Sequence, residues 1–180
     1  MKNKNIILGV TASIAAYKAC DIIRRLKERD LSVTVIMTKD AEEFITPLTL
    51  QTLSGNKVHR GMFDLASEEY NVEHVSLADK ADAILVAPAT ANIIGKVANG
   101  LCDDLLSCVI MATKAPVVFA PAMNDGMYSN KILQDNIAKL KNAGYKFIGP
   151  IKGKLANGKM GIGHLAEVDT IVKETATVIK

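Results

Sequence analysis

Short apolar runs alternate with amphipathic stretches along the whole chain. The runs are continuously apolar, as in Ile6-Ile7-Leu8-Gly9-Val10, and do not alternate apolar with polar positions. Continuous runs of this kind are typical of parallel strands that helices cover on both faces. We therefore predict buried strands over residues 6–10, 31–37, 83–87, 117–120 and 145–148.

The amphipathic stretches between these runs predict helices. In the first of them Ile14, Cys20, Ile22 and Leu26 supply the packing faces. The predicted helices cover residues 13–29, 90–99, 104–113, 130–143 and 167–178. Strand and helix in alternation predict an α/β fold, a doubly wound parallel sheet of Rossmann-like or flavodoxin-like type with helices on both faces. Since no repeat or linker interrupts the pattern, residues 1–180 are expected to form a single domain.

Composition narrows the class of function. Of the 180 residues, 49% are hydrophobic and 23% are charged, and the net charge of +3 is too small and too scattered to indicate nucleic-acid binding. Three unpatterned cysteines, Cys20, Cys102 and Cys108, predict neither a disulfide framework nor a metal site. No signal peptide and no apolar run of about 20 residues is present, so we expect a cytoplasmic protein without a membrane partner.

Two segments fit neither a plain strand nor a plain helix, namely residues 54–71 and 152–164. The second carries Gly153, Gly158, Gly161 and Gly163 within eleven residues. So much glycine disfavours an ordinary helix and indicates a mobile lid or flap. Loops of that kind commonly cover a binding site.

Ligands of doubly wound sheets bind beyond the carboxyl ends of the strands. Small hydroxyl and amide residues follow four of the predicted strands. Ser13 also opens a helix, where free N–H groups favour an anion, although for a serine taken alone a plain N-cap role is the better explanation. Neither a Walker lysine motif nor Gly-x-Gly-x-x-Gly follows the first strand. The small hydroxyl and amide residues that are present suit a mononucleotide with one phosphate better than a dinucleotide. The segments that directly follow these four predicted strands are residues 11–13, 38–40, 88–92 and 121–124.

Titratable side chains give weaker signals when each is taken alone. His74 lies just before a helix-like run, where a histidine taken alone is more often structural than catalytic. His59 and His164 give still weaker evidence of a catalytic role. Asp103 and Asp104 could form a catalytic carboxylate pair, but acids at the start of a helix also complement its dipole.

Three segments together resemble the phosphopantothenoylcysteine decarboxylases, within the homo-oligomeric flavin-containing cysteine decarboxylases. The first is GVTASIAAYK at residues 9–18. The second combines APATAN at residues 87–92 with NGLCDDLL at residues 99–106. The third, PAMNDGMY at residues 121–128, is similar to their Pro-x-Met-Asn-x-x-Met signature, with tyrosine where tryptophan is common. Order and spacing agree with that family from about residue 5 to residue 170.

The resemblance implies an enzyme that uses FMN to decarboxylate 4'-phosphopantothenoylcysteine to 4'-phosphopantetheine in coenzyme A biosynthesis, assembled as a homotrimer or dodecamer. It places His74 and Asn124 at the catalytic positions, and the glycine-rich segment at the substrate flap. Substrate-binding residues would be Asn124, Met127, Ala156 and Lys159. The FMN site would consist of Ala12, Ser13, Ile14, Thr38, Thr90, Ala91, Asn92, Ile93 and Ala112.

Position 157 departs from the family pattern. The flap of the family usually reads Leu-Ala-Cys-Gly-Asp, with a cysteine that donates a proton, whereas this chain has Asn157, and an amide is no comparable acid near neutral pH. An engineered trap, an oxidative decarboxylase acting on a peptide's C-terminal cysteine, or another proton donor such as Lys159 or His164 would each explain the change. A non-catalytic regulatory flavoprotein is a further alternative, which the presence of His74 and Asn124 disfavours.

Overall fold

The computed structural model describes residues 4–62 and 73–179. Six parallel strands form the central sheet in the order β3-β2-β1-β4-β5-β6, and β7 pairs with β8 in a separate antiparallel hairpin. The strands are β1 Asn5–Val10, β2 Ser32–Met37, β3 Val58–His59, β4 Ala83–Ala89, β5 Val117–Pro121, β6 Lys146–Phe147, β7 Ile151–Lys154 and β8 Met160–His164.

Helices connect the strands and cover both faces of the sheet. Two short 3-10 helices, Ile14–Lys18 and Lys39–Glu43, follow β1 and β2. The α-helices are α1 Ala19–Lys27, α2 Pro47–Ser54, α3 Glu73–Lys80, α4 Ala91–Ala98, α5 Leu105–Ala112, α6 Asp125–Tyr128, α7 Lys131–Asn142 and α8 Val168–Val178. The expectation of a doubly wound α/β sheet is confirmed.

The two faces of the sheet have separate hydrophobic cores, because successive side chains of a strand point to opposite sides. In β1, Ile6 and Leu8 belong to the core formed with α1, α2 and α8, whereas Ile7 belongs to the core formed with α3, α4, α5 and α7. Gly9 lets α5 approach closely, since a Cβ there would lie 2.6 Å from Cδ1 of Leu106. Burial on both faces explains why the strands are continuously apolar.

Every predicted strand and helix is present to within a few residues of its predicted ends, except that the first helix begins as the 3-10 turn Ile14–Lys18. The sequence analysis missed the 3-10 helix Lys39–Glu43, α2, β3, α6 and the β7–β8 hairpin, and for α3 it noted only a helix-like run after His74. α2 carries ordinary boundary signals, with Thr46 as N-cap, Pro47 in its first turn and Gly55 in the left-handed conformation after its end. Residues 63–71 of the segment predicted as irregular lie outside the described residues. Among the helices described, none is long and apolar enough to cross a membrane.

Candidate functional site

A buried threonine joins the two loops at the centre of the sheet. β1 and β4 are neighbours, but the chain continues from β1 toward β2 and from β4 toward β5, so a crevice opens between their carboxyl ends. Thr11, 2% exposed, donates its hydroxyl to the Pro88 carbonyl at 2.8 Å and accepts from the Thr90 N–H at 3.1 Å. These bonds fix the floor of the crevice.

A pocket of about 640 Å³ lies on this floor, a volume typical of small-molecule sites. It is bordered by residues following β1, β4 and β5 and by the β7–β8 hairpin. Its walls combine small apolar side chains with hydroxyl and amide groups, and it brings together nine of the residues predicted for the site. These are Ala12, Ser13, Ile14, Thr90, Ala91, Asn124, Met127, Ala156 and Asn157.

Ser13 occupies the position expected of an anion-binding helix start. It is the N-cap of the 3-10 helix that continues into α1, and its Oγ accepts from the Ala15 N–H at 3.3 Å. Thr90 plays the same part for α4, accepting from the Ile93 N–H at 3.4 Å. The N-cap role and the pocket position therefore coexist in both residues, so the two explanations left open for Ser13 are not exclusive.

Several residues predicted for the cofactor or substrate do not line this pocket. Thr38 follows β2, where its N–H donates to the Val10 carbonyl. Asn92 is exposed on α4, Ile93 is buried in the core, and Lys159 lies in the hairpin turn. Ala112 lies in the last turn of α5, outside the pocket, and Ala122, which follows β5, lines it instead.

The sequence analysis also missed Phe44, Lys18 and Lys154, which line the pocket together with His164. Phe44 follows the short 3-10 helix after β2 and is 46% exposed. The only signal in the sequence was a position directly after a strand. Lys18 lies at the end of one 3-10 helix and Phe44 follows the other, so both are separated from the strand ends. Only the fold brings them to the same edge.

Asn124 is held in a defined orientation. It is the N-cap of α6, and its Oδ1 accepts from the Gly126 N–H at 2.8 Å. Since the amide oxygen is used in this bond, the other end of the amide, the NH2 group with its two donors, points in the opposite direction. A fixed pair of donors on an exposed residue of the pocket wall suits recognition of a carboxylate.

The glycine-rich segment is the β7–β8 hairpin, and its glycines explain how it docks. A Cβ on Gly163 would lie 2.1 Å from the Met123 carbonyl oxygen, and the Gly163 carbonyl accepts from the Met123 N–H at 3.0 Å. In the hairpin turn, Asn157 Oδ1 accepts from the Lys159 N–H at 3.0 Å. Asn157 therefore shapes the turn and also lines the pocket.

His74 lies in the first turn of α3, on the face of the sheet where α3 packs against α5. It is not among the described residues that line the pocket of its own chain. Of the two residues that the resemblance places at catalytic positions, Asn124 thus lines this pocket and His74 does not.

Asp103 and Asp104 have a structural role. Both contact the Lys96 ammonium at 2.7 Å, and Asp104 forms a capping box with Ser107 at the start of α5. Burial opposes ionisation of Asp104, but the hydrogen bonds from Lys96 and from Ser107 outweigh it and lower the pKa of this carboxyl. A carboxylate held ionised by a lysine is a poor acid, which argues against a catalytic pair.

A second groove, of about 790 Å³, is larger but lies at the β2–β3 side of the sheet. It is shallow, and Arg60 within it pairs with Glu42 at 3.4 Å. Because it lies away from the crevice between β1 and β4, we assign the functional site to the smaller pocket.

The smaller pocket fits a flavin mononucleotide in its chemistry. Apolar walls such as Ala91, Ala122 and Phe44 suit a flat ring, amide groups suit its polar edge, and the helix start at Ser13 suits one phosphate. No cluster of three or more metal-binding side chains occurs in the described ranges. Fold and pocket together define a doubly wound α/β protein with a small-molecule pocket at the crevice between β1 and β4.

Comparison with known proteins identifies the family. The model of the Flavoprotein family matches residues 1–180, and the chain belongs to this family. It is 49% identical over 172 residues to the coenzyme A biosynthesis bifunctional protein CoaBC of Borreliella burgdorferi, covering 96% of this chain and 44% of that protein. The chain thus spans less than half the length of that relative.

Two other similarities extend over whole chains. A probable phosphopantothenoylcysteine decarboxylase of Streptococcus mutans serotype c is 44% identical over 173 residues, which are 95% of this chain and 96% of the relative. A solved structure of a PPC decarboxylase mutant complexed with pantothenoylaminoethenethiol superposes with a TM-score of 0.85 at 30% identity, and 98% of each chain is covered.

Proposed function

We propose that this chain is a cytoplasmic, FMN-dependent decarboxylase that converts 4'-phosphopantothenoylcysteine to 4'-phosphopantetheine in coenzyme A biosynthesis. The observation that carries the proposal is the single pocket wall where the helix start at Ser13, the Thr90 turn and the Asn124 amide meet. The names of the relatives and their coverage of this chain support the same substrate.

Each residue of the pocket has a defined task in this proposal. FMN, when bound, would supply two-electron redox chemistry: it would accept a hydride equivalent from the thiol-bearing carbon, which gives the substrate an electron sink for the loss of CO2, and would return that hydride to the enethiol to complete 4'-phosphopantetheine. Ser13 and the N–H groups after it hold the phosphate of the cofactor. Asn124 orients the substrate carboxylate through its NH2 group without neutralising it. The β7–β8 hairpin, as substrate flap, excludes water from the reacting carbon.

We further propose that His74 acts on the pocket of a second copy in a homo-oligomer, a trimer or a larger assembly of trimers. His74 lies outside its own pocket, while large apolar side chains near it, Val75 and Met111, are 45% and 46% exposed. Ile14 and Tyr17 at the pocket are 61% and 58% exposed. An interface between copies would bury these two exposed apolar surfaces, one near His74 and one at the pocket.

Mixed oligomers test this assignment. His74→Asn and Asn124→Asp are each expected to be inactive alone, but a 1:1 co-expressed mixture should recover roughly a quarter of the wild-type turnover, because random assembly leaves that share of sites with both residues intact. Separately purified variants, mixed without subunit exchange, serve as the control. Absence of any recovery in verified mixed oligomers would show that His74 acts within its own chain or not at all.

Asn157 gives a test of the reaction itself, with products identified by mass spectrometry. A thiol is a far better proton donor than an amide near neutral pH, so a cysteine here would protonate the enethiol formed after CO2 loss more readily than the wild type, in which another group such as Lys159 or His164 has to donate. Asn157→Cys should therefore raise the yield of phosphopantetheine, relative to the product two hydrogens lighter, by about tenfold or more. Asn157→Ser, of similar size but without an acid, is the matched control. Equal product ratios for the two variants would refute a proton-donating role at position 157.

A further inference from the structure

The pocket is electropositive beyond what the cofactor phosphate at Ser13 requires. Among the described residues that line it, the side chains with a permanent charge are Lys18 and Lys154, and none is an aspartate or a glutamate. An unbalanced pair of ammonium groups in a concave site raises the local concentration of anions. The proposed substrate has two anionic groups, its cysteine carboxylate and its phosphate.

Lys18 is held in place by an imidazole on the hairpin. Its Nζ lies 3.3 Å from Nε2 of His164, whose Nδ1 lies 3.2 Å from the Lys154 carbonyl oxygen. A carbonyl only accepts, so Nδ1 carries the hydrogen, and an ammonium only donates, so Nε2 is the acceptor. The tautomer with hydrogen on Nδ1 satisfies both contacts. Within residues 4–62 and 73–179, this contact uses one N–H of Lys18, so the ammonium has two more to offer a ligand.

The hairpin is shaped to receive this imidazole. A Cβ on Gly153 would lie 2.8 Å from Cγ of His164, so the ring packs directly against the backbone of β7. Lys18 is half-buried as well, and its ammonium thus has a defined position at the base of the hairpin. A residue larger than glycine at position 153 would displace the ring and release Lys18.

The position of Lys18 distinguishes it from the other anion-binding elements. It follows Ser13 by five residues, which corresponds to about 10 Å along a 3-10 helix, and its ammonium is directed to the hairpin. Ser13 is assigned to the cofactor phosphate and Asn124 to the substrate carboxylate. Building on the proposed function, we propose that Lys18, positioned by His164, binds the phosphate group of the substrate and selects the phosphorylated form.

Kinetics with two substrates test the assignment. For Lys18→Met, the KM for the phosphorylated substrate should rise about tenfold or more, as expected for a lost charge-assisted hydrogen bond. The KM for pantothenoylcysteine, which has the carboxylate but no phosphate, should not change, and neither should the affinity for FMN. Lys18→Arg should keep most of the selectivity. Lys152→Met is the matched control, because Lys152 is exposed on β7 and does not line the pocket.

The positioning role of His164 needs a different readout. His164→Leu should lose part of the phosphate selectivity while Lys18 is still present. In the double variant with Lys18→Met, the second substitution should add little, because both act through the same ammonium. Additive losses would show that His164 acts independently of Lys18.

Other outcomes separate the failure of this inference from failure of the proposed function. Equal rises in KM for both substrates would assign Lys18 to the carboxylate, and a loss of FMN affinity would assign it to the cofactor phosphate; each result overturns the inference alone. If the wild type is active and Lys18→Met has unchanged kinetics, the inference about Lys18 is also overturned, while the proposed function stands. A wild type that decarboxylates neither substrate overturns the proposed function and this inference with it.

Discussion

Asn124→Asp should lower kcat/KM for decarboxylation by at least about 10²-fold, the loss typical of removing one preorganised donor. The substitution is informative because the carboxylate keeps an oxygen that can accept from the Gly126 N–H, so the cap of α6 is preserved. What is lost is the NH2 group, and a negative charge now faces the substrate carboxylate. FMN binding should remain, as measured by the flavin absorbance of the purified protein.

Asn130→Asp is the control for this experiment. Asn130 is the N-cap of α7 and accepts from the Ile132 N–H at 2.9 Å, so the same substitution is made at a second helix start outside the pocket. Its kcat/KM should equal that of the wild type. Asn124→Asp with wild-type kcat/KM would remove Asn124 from the mechanism.

Gly163→Ala should have the second large effect, by displacing the hairpin. The added Cβ would meet the Met123 carbonyl oxygen at 2.1 Å, and since both partners are backbone, neither can turn away. The hairpin must then shift relative to Met123 and Asn124, and a misplacement of about 1 Å can cost about 10²-fold in rate. We also expect a loss of about 1–3 kcal/mol in the free energy of unfolding, as for other overpacked sites.

Gly61→Ala provides the comparison, since a Cβ at Gly61 meets nothing within 4 Å and the residue lies outside the pocket. Its activity and unfolding midpoint should change little. The two variants would be compared by steady-state kinetics and by denaturant unfolding. If Gly163→Ala were as active as Gly61→Ala, docking of the hairpin on residues 121–124 would not matter for catalysis.

The sheet was predictable because its physical signal is local. Strands buried on both faces must be apolar at every position. Continuous apolar runs such as Ile6-Ile7-Leu8 and Ile84-Leu85-Val86 therefore indicate buried parallel strands. The hairpin was not predictable in the same way. Gly153, Gly161 and Gly163 are there because other groups occupy the space of a side chain, and the partners in those contacts are distant in sequence.

The pocket was predictable where it follows strand ends and not where it depends on packing. Ser13, Thr90 and Asn124 were found because the carboxyl ends of parallel strands meet at one edge. Ala122 belongs to the segment 121–124 that strand position indicated, whereas Ala112, which the resemblance suggested, lies on α5 outside the pocket. Lys18 acquires its role only through His164, 146 residues further along the chain. His74 lies outside the pocket of its own chain, which no pattern of residues indicates.

A crystal structure of the protein with FMN is the most direct measurement of the central claim, that the crevice between β1 and β4 holds the flavin beside Asn124. We predict that the phosphate lies at the N–H groups following Ser13 and that the ring lies along Ala91 and Ala122, within reach of Asn124. Density for the flavin in the groove of Lys39 and Arg60, or a protein that binds no FMN, would contradict it.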